Sequence, residues 1–505
     1  METEKRLFLA IALALVVLLS WSTFASKRYP LENKQVTTST ASVKPFSRVQ
    51  PLPQIPESTD DTETNFPHEK YDIVFSESRA AVKSINFKSY QNYVFPLKSG
   101  FQLNQPGLNF KTKEIDRKNA IFAHTDAAKE IIKKFDFSKS NYTIGLEITV
   151  KNFSTNTLKM ALPVILGELS SAGGHEEARL RDVTFAGRDK ITHLNLRKEA
   201  EQEEIKFVAL RDRYFCAILS PIASTYNGYL SKKSAQDYEI GVLGPEFEVL
   251  PGEEKIFNFD IYLGPQELRQ ISNINPDWTA VMYYGTFDFI AHLLLQLLYF
   301  IFGLLRNWGL TIVVISVIIY FILFPLSLKQ MHSMKQMQVL QPRIEELRKA
   351  YKNNPQKLNA EIMQLYKTYK VNPFSGCLPL ILQIPIFFAL YQVLIRSVAL
   401  KGASFLWIKD LSAPDRLFLL PFSLPVLGNE INLLPILMTI GMFVQQKFSM
   451  ATATSGSAEQ QKLMLILMPL MFGFIFYHMP SGLVLYWFTN STLMLVYQLK
   501  INRQK

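Results

Sequence analysis

The sequence predicts an α-helical membrane protein in which a β-sandwich domain lies between an N-terminal anchor and a five-span core with a cytoplasmic helical hairpin. Three observations carry that reading. Apolar stretches crowd the chain after Trp278, and short runs with period two fill the region from Tyr71 to about Asp277. Between two of the apolar stretches, one loop holds a large excess of lysine and arginine. Composition agrees, since 48% hydrophobic beside 19% charged residues over 505 positions fits a membrane part joined to a soluble part.

The formal net charge of +11 would suit nucleic-acid binding on a soluble surface. Here it sits largely in that one loop, where a basic excess reports membrane topology instead. Two widely separated cysteines, Cys216 and Cys377, make neither a disulfide framework nor a metal site. The histidines are scattered, and no metal or other cofactor is expected.

The first element is residues 1–25, where Lys5 and Arg6 precede an apolar run from Leu7 to Leu19 followed by Trp21 to Ala25. At ~1.5 Å per residue it crosses most of a ~30 Å hydrocarbon core. Thr23-Phe24-Ala25 also fits a cleavage site, so a retained anchor and a cleaved signal both stand on the residues alone. Residues 26–68 are rich in Ser, Thr, Pro, Gln and Lys and read as a flexible linker.

Residues 69–284 read as the β-sandwich. Ile144, Leu146, Ile148 and Val150 share one strand face, as do Phe257, Phe259, Ile261 and Leu263. Pro251-Gly252, Gly264-Pro265 and Gly173-Gly174 punctuate the runs, as antiparallel strands require. Helical interruptions are expected around Ala127–Lys134 and Lys198–Glu204 from their composition.

Within residues 285–306, Phe289–Leu305 is apolar enough to span. However, Asp288, His292 and Gln296 recur every four residues as a polar stripe, which suits a helix lying in the interface. The core spans are Leu310–Leu326, within 307–328, and Leu378–Ile395, Ile431–Val444, Leu463–Tyr477 and Leu483–Leu499, within 377–500. A short basic tail, 501–505, follows. The loop 329–376 carries Lys329, Lys335, Arg343, Arg348, Lys349, Lys352, Lys357, Lys367 and Lys370 against Glu345, Glu346 and Glu361. By the positive-inside rule it is cytoplasmic. Parity then asks for one crossing before it, which favours the interfacial reading of Phe289–Leu305 and puts both chain termini in the cytoplasm. The loop itself reads as a helical hairpin. Met337, Leu340, Ile344, Leu347 and Tyr351 step by three and four, as do Leu358, Ile362, Leu365 and Tyr369. Asn354-Pro355 caps the second arm, and Pro342 kinks or restarts the first.

Several motifs now fall in order: Asn307-Trp308-Gly309, Phe324-Pro325-Leu326, the segment Asn372–Tyr391, Leu406-Trp407-Ile408 with Asp410-Leu411-Ser412, and Pro480–Tyr486. In sequence and spacing they resemble the signatures of the YidC family of insertases. The resemblance implies a periplasmic β-sandwich, an interfacial helix and five inner-membrane core spans around a polar groove open to the cytoplasm and to lipid. It implies nascent membrane proteins as substrates, and the Sec translocon, the ribosome and membrane lipids as partners. No nucleic acid is expected apart from ribosome contact.

Trp487 matches an aromatic position that contacts substrate in the family, and the polar residues Ser316, Tyr320, Gln383, Gln446 and Asn490 within the spans are the further groove candidates. The ribosome-facing candidates are Arg343, Arg348, Lys349, Lys352 and Lys357. One departure matters: the family usually carries an arginine five residues before the proline of the Phe324-Pro325-Leu326 motif, where this chain has Tyr320. Neutral near pH 7, a tyrosine offers a hydroxyl but no charge. Arg396 sits at the far end of its span and is not expected to replace that arginine. The rival reading is a transporter or channel with a periplasmic ligand-binding domain, but the spans show no acidic residues or internal repeat. No catalytic constellation stands out, so no enzyme activity is expected.

Overall fold

The computed structural model describes residues 62–503 apart from 141, 171–178, 197–198, 223–224, 353, 370, 372–377, 425–427 and 451–457. The expected anchor 1–25, most of the linker 26–68, Cys377, most of the Asn372–Tyr391 motif's polar start and the end of the basic tail therefore lie outside the described residues.

Among the described residues the alternating runs build two large sheets and a small pair, Leu158–Met160 with Phe247–Val249. Four strands, Glu63–Pro67, Tyr71–Ser76, Ala81–Phe87 and Tyr93–Phe95, pair in sequence order. The second sheet has twelve strands, and at its centre Glu254–Pro265 lies between Phe215–Pro221 and Thr143–Asn152. The two apolar faces expected from sequence are cross-strand neighbours, with Phe259 opposite Leu146 and Ile261 opposite Ile144. All four of these side chains are buried. Aromatic side chains join the sheets face to face. Phe75 lies 5.3 Å from Phe122 and 5.1 Å from Phe135, and Phe87 stacks on Phe215 at 4.1 Å.

Three expectations need correction. Lys129–Ser140 and Ala200–Arg211 are strands where helical interruptions were expected around Ala127–Lys134 and Lys198–Glu204. Strand pairing overrides local helix preference in each, on both sides of Glu130–Asp136 and along Tyr226–Lys232 for Ala200–Gln202. The linker also ends sooner than residue 68, because Glu63–Pro67 pairs with Tyr71–Ser76 and buries Phe66.

Beyond Gly264 the chain turns helical. We label the helices α1 (Leu268–Ile274), α2 (Asp288–Leu305), α3 (Trp308–Val339), α4 (Gln341–Ala350), α5 (Pro355–Thr368), α6 (Leu378–Arg396), α7 (Leu433–Met450), α8 (Ala458–Tyr477) and α9 (Ser481–Arg503). Among the described residues, Asp288–Leu305 and Trp308–Pro325 are long and apolar enough to cross a membrane. Gln383–Arg396 and Leu465–Tyr477 are shorter apolar stretches.

The polar stripe on α2 has local work. Asp288 accepts a hydrogen bond from the Tyr284 backbone N–H at 2.8 Å, and His292 bonds the Met282 carbonyl at 3.0 Å. Gln296 is exposed. The opposite side buries Ala291, Leu294, Leu295, Leu298 and Ile301, where α2 packs on α3 and α6.

α3 runs through Pro325 without a break and, at 32 residues, is about 48 Å long. The chain restarts at Gln341 with proline in the first turn of α4, as expected of Pro342. Asn354 caps α5 by accepting from the Lys357 N–H at 3.1 Å. The hairpin core is Leu340, Ile344, Tyr366 and Val371, flanked by Ile362 and Leu365. Tyr369, expected on that seam, is instead exposed and takes the Arg343 guanidinium.

Candidate functional site

On α3, apolar neighbours leave hydroxyls few partners, so they turn back on their own helix. Thr311 Oγ1 donates to the Asn307 carbonyl at 2.8 Å, and Ser316 Oγ donates to that of Ile312 at 2.6 Å. Ser316 is fully buried. One turn on, Tyr320 is half-buried, with its ring 5.7 Å from that of Phe324. Phe324 in turn meets Tyr497 of α9 edge-on at 4.8 Å. Tyr320 thus begins an aromatic ladder between α3 and α9.

Gln383, Trp487 and Asn490 converge between α6 and α9. Gln383 Nε2 donates to the Tyr486 hydroxyl, and Asn490 Nδ2 donates to the Tyr486 carbonyl at 3.0 Å. Tyr486 is buried and joins the two helices. It belongs to the Pro480–Tyr486 motif but was not expected to be a site residue. Its position one turn before Asn490 is the signal that could have found it. Trp487 stands among Phe387, Phe472 and Phe476, at centroid distances of 5.4, 5.7 and 5.2 Å. Gln446 is half-buried on α7, which packs on α8 and α9.

Residues 397–424 and 428–432 lie across one end of this helical group. Ser481 Oγ donates to the Asp410 carbonyl at 2.9 Å, and the Gly482 N–H bonds the Leu411 carbonyl at 2.9 Å. Asp415 caps α7 by accepting from the Leu434 N–H at 2.7 Å, and also takes the Trp407 indole N–H at 3.2 Å. Asn432, wholly buried, donates to the Tyr477 carbonyl at 2.8 Å. The Leu406–Ser412 motif is therefore a latch that ties the starts of α7 and α9 together.

The β domain seats on the same end. Arg213 donates to the carbonyls of Ile395 and Ser412 at 2.9 and 2.7 Å, and Arg396 bonds Asp182. Asp212 accepts from the Tyr93 hydroxyl at 2.7 Å and from the Tyr214 and Phe215 N–H groups. Burial nonetheless pushes its carboxyl above the usual range.

In the hairpin, the Arg343 guanidinium lies 5.2 Å over the Tyr369 ring and Lys357 lies 5.1 Å over Tyr351. Lys349 and Lys352 are exposed and Arg348 is half-buried. Among the described residues, no group of histidine, cysteine and carboxylate side chains could hold a metal ion.

Residues 76–297 match the family model of the YidC periplasmic domain, and residues 300–505 match that of the 60Kd inner membrane protein. Membrane protein insertase YidC of Herminiimonas arsenicoxydans is 35% identical over 392 residues, covering 74% of this chain and 67% of that protein. The Pelobacter propionicus protein of the same name is 30% identical over 552 residues, covering 99% of both chains. Among solved structures, an active YidC insertase with its first transmembrane domain resolved is 21% identical with a TM-score of 0.41. It is matched over 86% of this chain and 92% of its own. With a relative matched from end to end and both halves of the chain covered by its models, this chain belongs to the YidC family of membrane protein insertases.

Proposed function

We propose that the chain inserts and folds nascent membrane proteins in the bacterial inner membrane through a polar groove among α3, α6, α7, α8 and α9, alone or with the Sec translocon. These five helices are the core spans, with α2 in the interface and both chain termini in the cytoplasm. Support for that orientation is the basic hairpin, which the positive-inside rule puts in the cytoplasm. The length of α3 agrees, since about 48 Å exceeds a ~30 Å hydrocarbon core and carries its end beyond the bilayer.

The observation that carries the groove is the Gln383–Tyr486 bond across α6 and α9, with Asn490 one turn on, a polar patch in otherwise apolar helices. A charged residue crossing mid-membrane costs about 2.5–3.5 kcal/mol on insertion scales. Polar side chains that admit water shorten that barrier, while burial of the substrate's apolar helix in lipid drives the process. The latch over α7 and α9 would keep the groove shut toward the periplasm. Ser316 keeps its hydroxyl bond within α3, so its share is small, and Tyr320 supplies an edge without charge. Arg348, Lys349 and Lys352 offer the ribosome a cationic face, and they also suit anionic lipid headgroups.

A photoreactive residue at Tyr320 or Trp487, with stalled ribosome–nascent chain complexes, tests the reading. Adducts with the substrate's hydrophilic segment are expected at both. Adducts only at the outward-facing Phe474, or solute flux through proteoliposomes without protein insertion, would overturn it.

A further inference from the structure

We propose that the described part of the α6–α7 connection that carries Leu406, Phe418, Leu419 and Phe422 is embedded in the outer leaflet, with these side chains among the lipid acyl chains. The proposal rests on the reading of α6 and α7 as membrane spans. Among the described residues the strand Phe418–Leu424 pairs only with Gly428–Ile431, and two-stranded hairpins are marginal in water. Phe418 is 63% exposed and Leu419 67%, although successive side chains point to opposite faces. Both faces of the strand are therefore open and apolar. In water such an edge would be a template for aggregation.

Leu406 points to the same surroundings by an independent route. Phe405 and Ile408 exchange backbone hydrogen bonds of 2.9 Å in both directions, which closes a tight turn with Leu406 at φ +53°. A branched side chain seldom adopts that conformation. The turn is held from below, because the Phe405 ring packs against Gly309 so closely that a Cβ there would run into it. Trp407 is tied to Asp415. Leu406 is thus rigidly displayed at 74% exposure. Backbone strain spent on showing a leucine to water has no return, whereas lipid rewards it.

The occupant follows from the flanks. The segment leaves α6 at Arg396 and enters α7 at Leu433, so it sits where two apolar helices emerge. α7 continues the outward apolar surface with Ile436, Ile440 and Phe443. Trp407 and the exposed Lys409 and Arg416 supply the aromatic and basic side chains that favour headgroup depth. The acids of the segment are engaged: Asp410 accepts from Ser412, Asp415 from Trp407 and Leu434, and Glu430 is bonded to Arg416 at 2.7 Å.

The test places a fluorescent NBD label on single cysteines in the full chain, with Cys216→Ala and Cys377→Ser as background. Labels go at Leu406→Cys and Phe422→Cys, with Ile440→Cys on α7 and Lys159→Cys on the β domain as controls. The protein is reconstituted in phosphatidylethanolamine–phosphatidylglycerol vesicles whose acyl chains carry bromine near the glycerol end or near the methyl end. Loss of emission at Leu406→Cys and Phe422→Cys is expected, stronger with bromine near the glycerol end, and absent at Lys159→Cys. Quenching at Ile440→Cys alone would overturn the proposal and leave the spanning reading intact. Blue-shifted emission without bromine quenching would assign the surface to a protein contact and also overturn it. No quenching at Ile440→Cys would sink the spanning reading with it.

Discussion

Arg396 and Asp182, 214 residues apart in sequence, meet with a guanidinium nitrogen 3.3 Å from a carboxylate oxygen where the end of α6 touches the β domain. Arg211 takes the same carboxylate and donates to the Tyr283 carbonyl at 2.6 Å. Arg396 also reaches the Leu180 carbonyl at 3.1 Å. One carboxylate thus serves two guanidiniums, all buried. Asp182→Asn leaves two cations short of a counter-charge and is expected to cost about 3–5 kcal/mol, while Arg396→Met keeps the Asp182–Arg211 pair and costs less. Denaturant midpoints of the full chain in detergent check the order. Equal midpoints for the two variants would contradict it.

A pH dependence belongs to the same junction. His193 stacks on Tyr283 with ring centroids 4.1 Å apart, and its Nδ1 lies 3.0 Å from Thr184 Oγ1. Burial lowers its pKa from 6.5 to about 4, with Asp182 and Asp288 opposing and Arg211 reinforcing the shift. The unfolded chain takes up this proton near pH 6.5 and the folded chain only near pH 4. Between those values the unfolded state binds more protons, so stability rises with pH. The contribution is whole above pH 6.5 and is lost as pH falls toward 4. His193→Gln should flatten that part of the stability profile, measured as denaturation midpoints from pH 7 to pH 4.

The Gln383–Tyr486 bond between α6 and α9 separates stability from activity. Tyr486→Phe removes the group that Gln383 bonds and should cost about 0.5–1.5 kcal/mol, leaving a half-buried amide without that partner. Adding Gln383→Met removes the orphan and should recover most of that stability. Insertion of substrates with hydrophilic tails should stay low in the double variant. Recovery of both properties together would make the bond a packing device and nothing more.

How far these features could be read in the sequence depended on what each pattern had to compete with. Ile144 to Val150 alternates cleanly and was legible as a strand. Lys129–Ser140 was not, because its inward face runs Ile131, Lys133, Phe135, Phe137, and a lysine breaks the apolar pattern. Lys133 is wholly buried, and its ammonium group donates to the carbonyls of Ala80, at 2.5 Å, and Phe101. No sequence pattern announces two backbone carbonyls from distant loops. The same limit hid Tyr486 and the Asp182–Arg211–Arg396 junction, whose members meet only in the fold. Gln383 and Asn490 stand out in the sequence as polar groups within apolar runs, whereas Trp487 is singled out by the family resemblance alone.

For the hairpin, the cations divide by what they already touch. Arg343 and Lys357 lie over tyrosine rings, so their loss also disturbs packing. Replacing Arg348, Lys349 and Lys352 by glutamine should leave helix content unchanged and weaken ribosome binding. Every phosphate that is no longer neutralised lowers the slope of log affinity against log salt by roughly 0.7–0.9, so a fall of about 2 is expected. Binding measured across a salt series checks it, and an unchanged slope would exclude these side chains from the ribosome interface.

Tyr320 offers the sharpest comparison with relatives. It lies half-buried beside Phe324, where a guanidinium could rest against an aromatic face and still reach the groove. A charge there would attract an acidic substrate segment by about 1 kcal/mol through water and up to about 4 kcal/mol at the lower effective dielectric of a partly closed site. Tyr320→Arg is therefore expected to raise insertion of an acidic-tailed substrate several-fold or more and to leave a neutral-tailed one unchanged. A groove hydrated as proposed admits ions, so the gain should shrink as salt rises. Insertion rates for the paired substrates at two ionic strengths decide the matter. An equal effect on both tails would mean that the arginine acts by reshaping the ladder of Tyr320, Phe324 and Tyr497, not by charge.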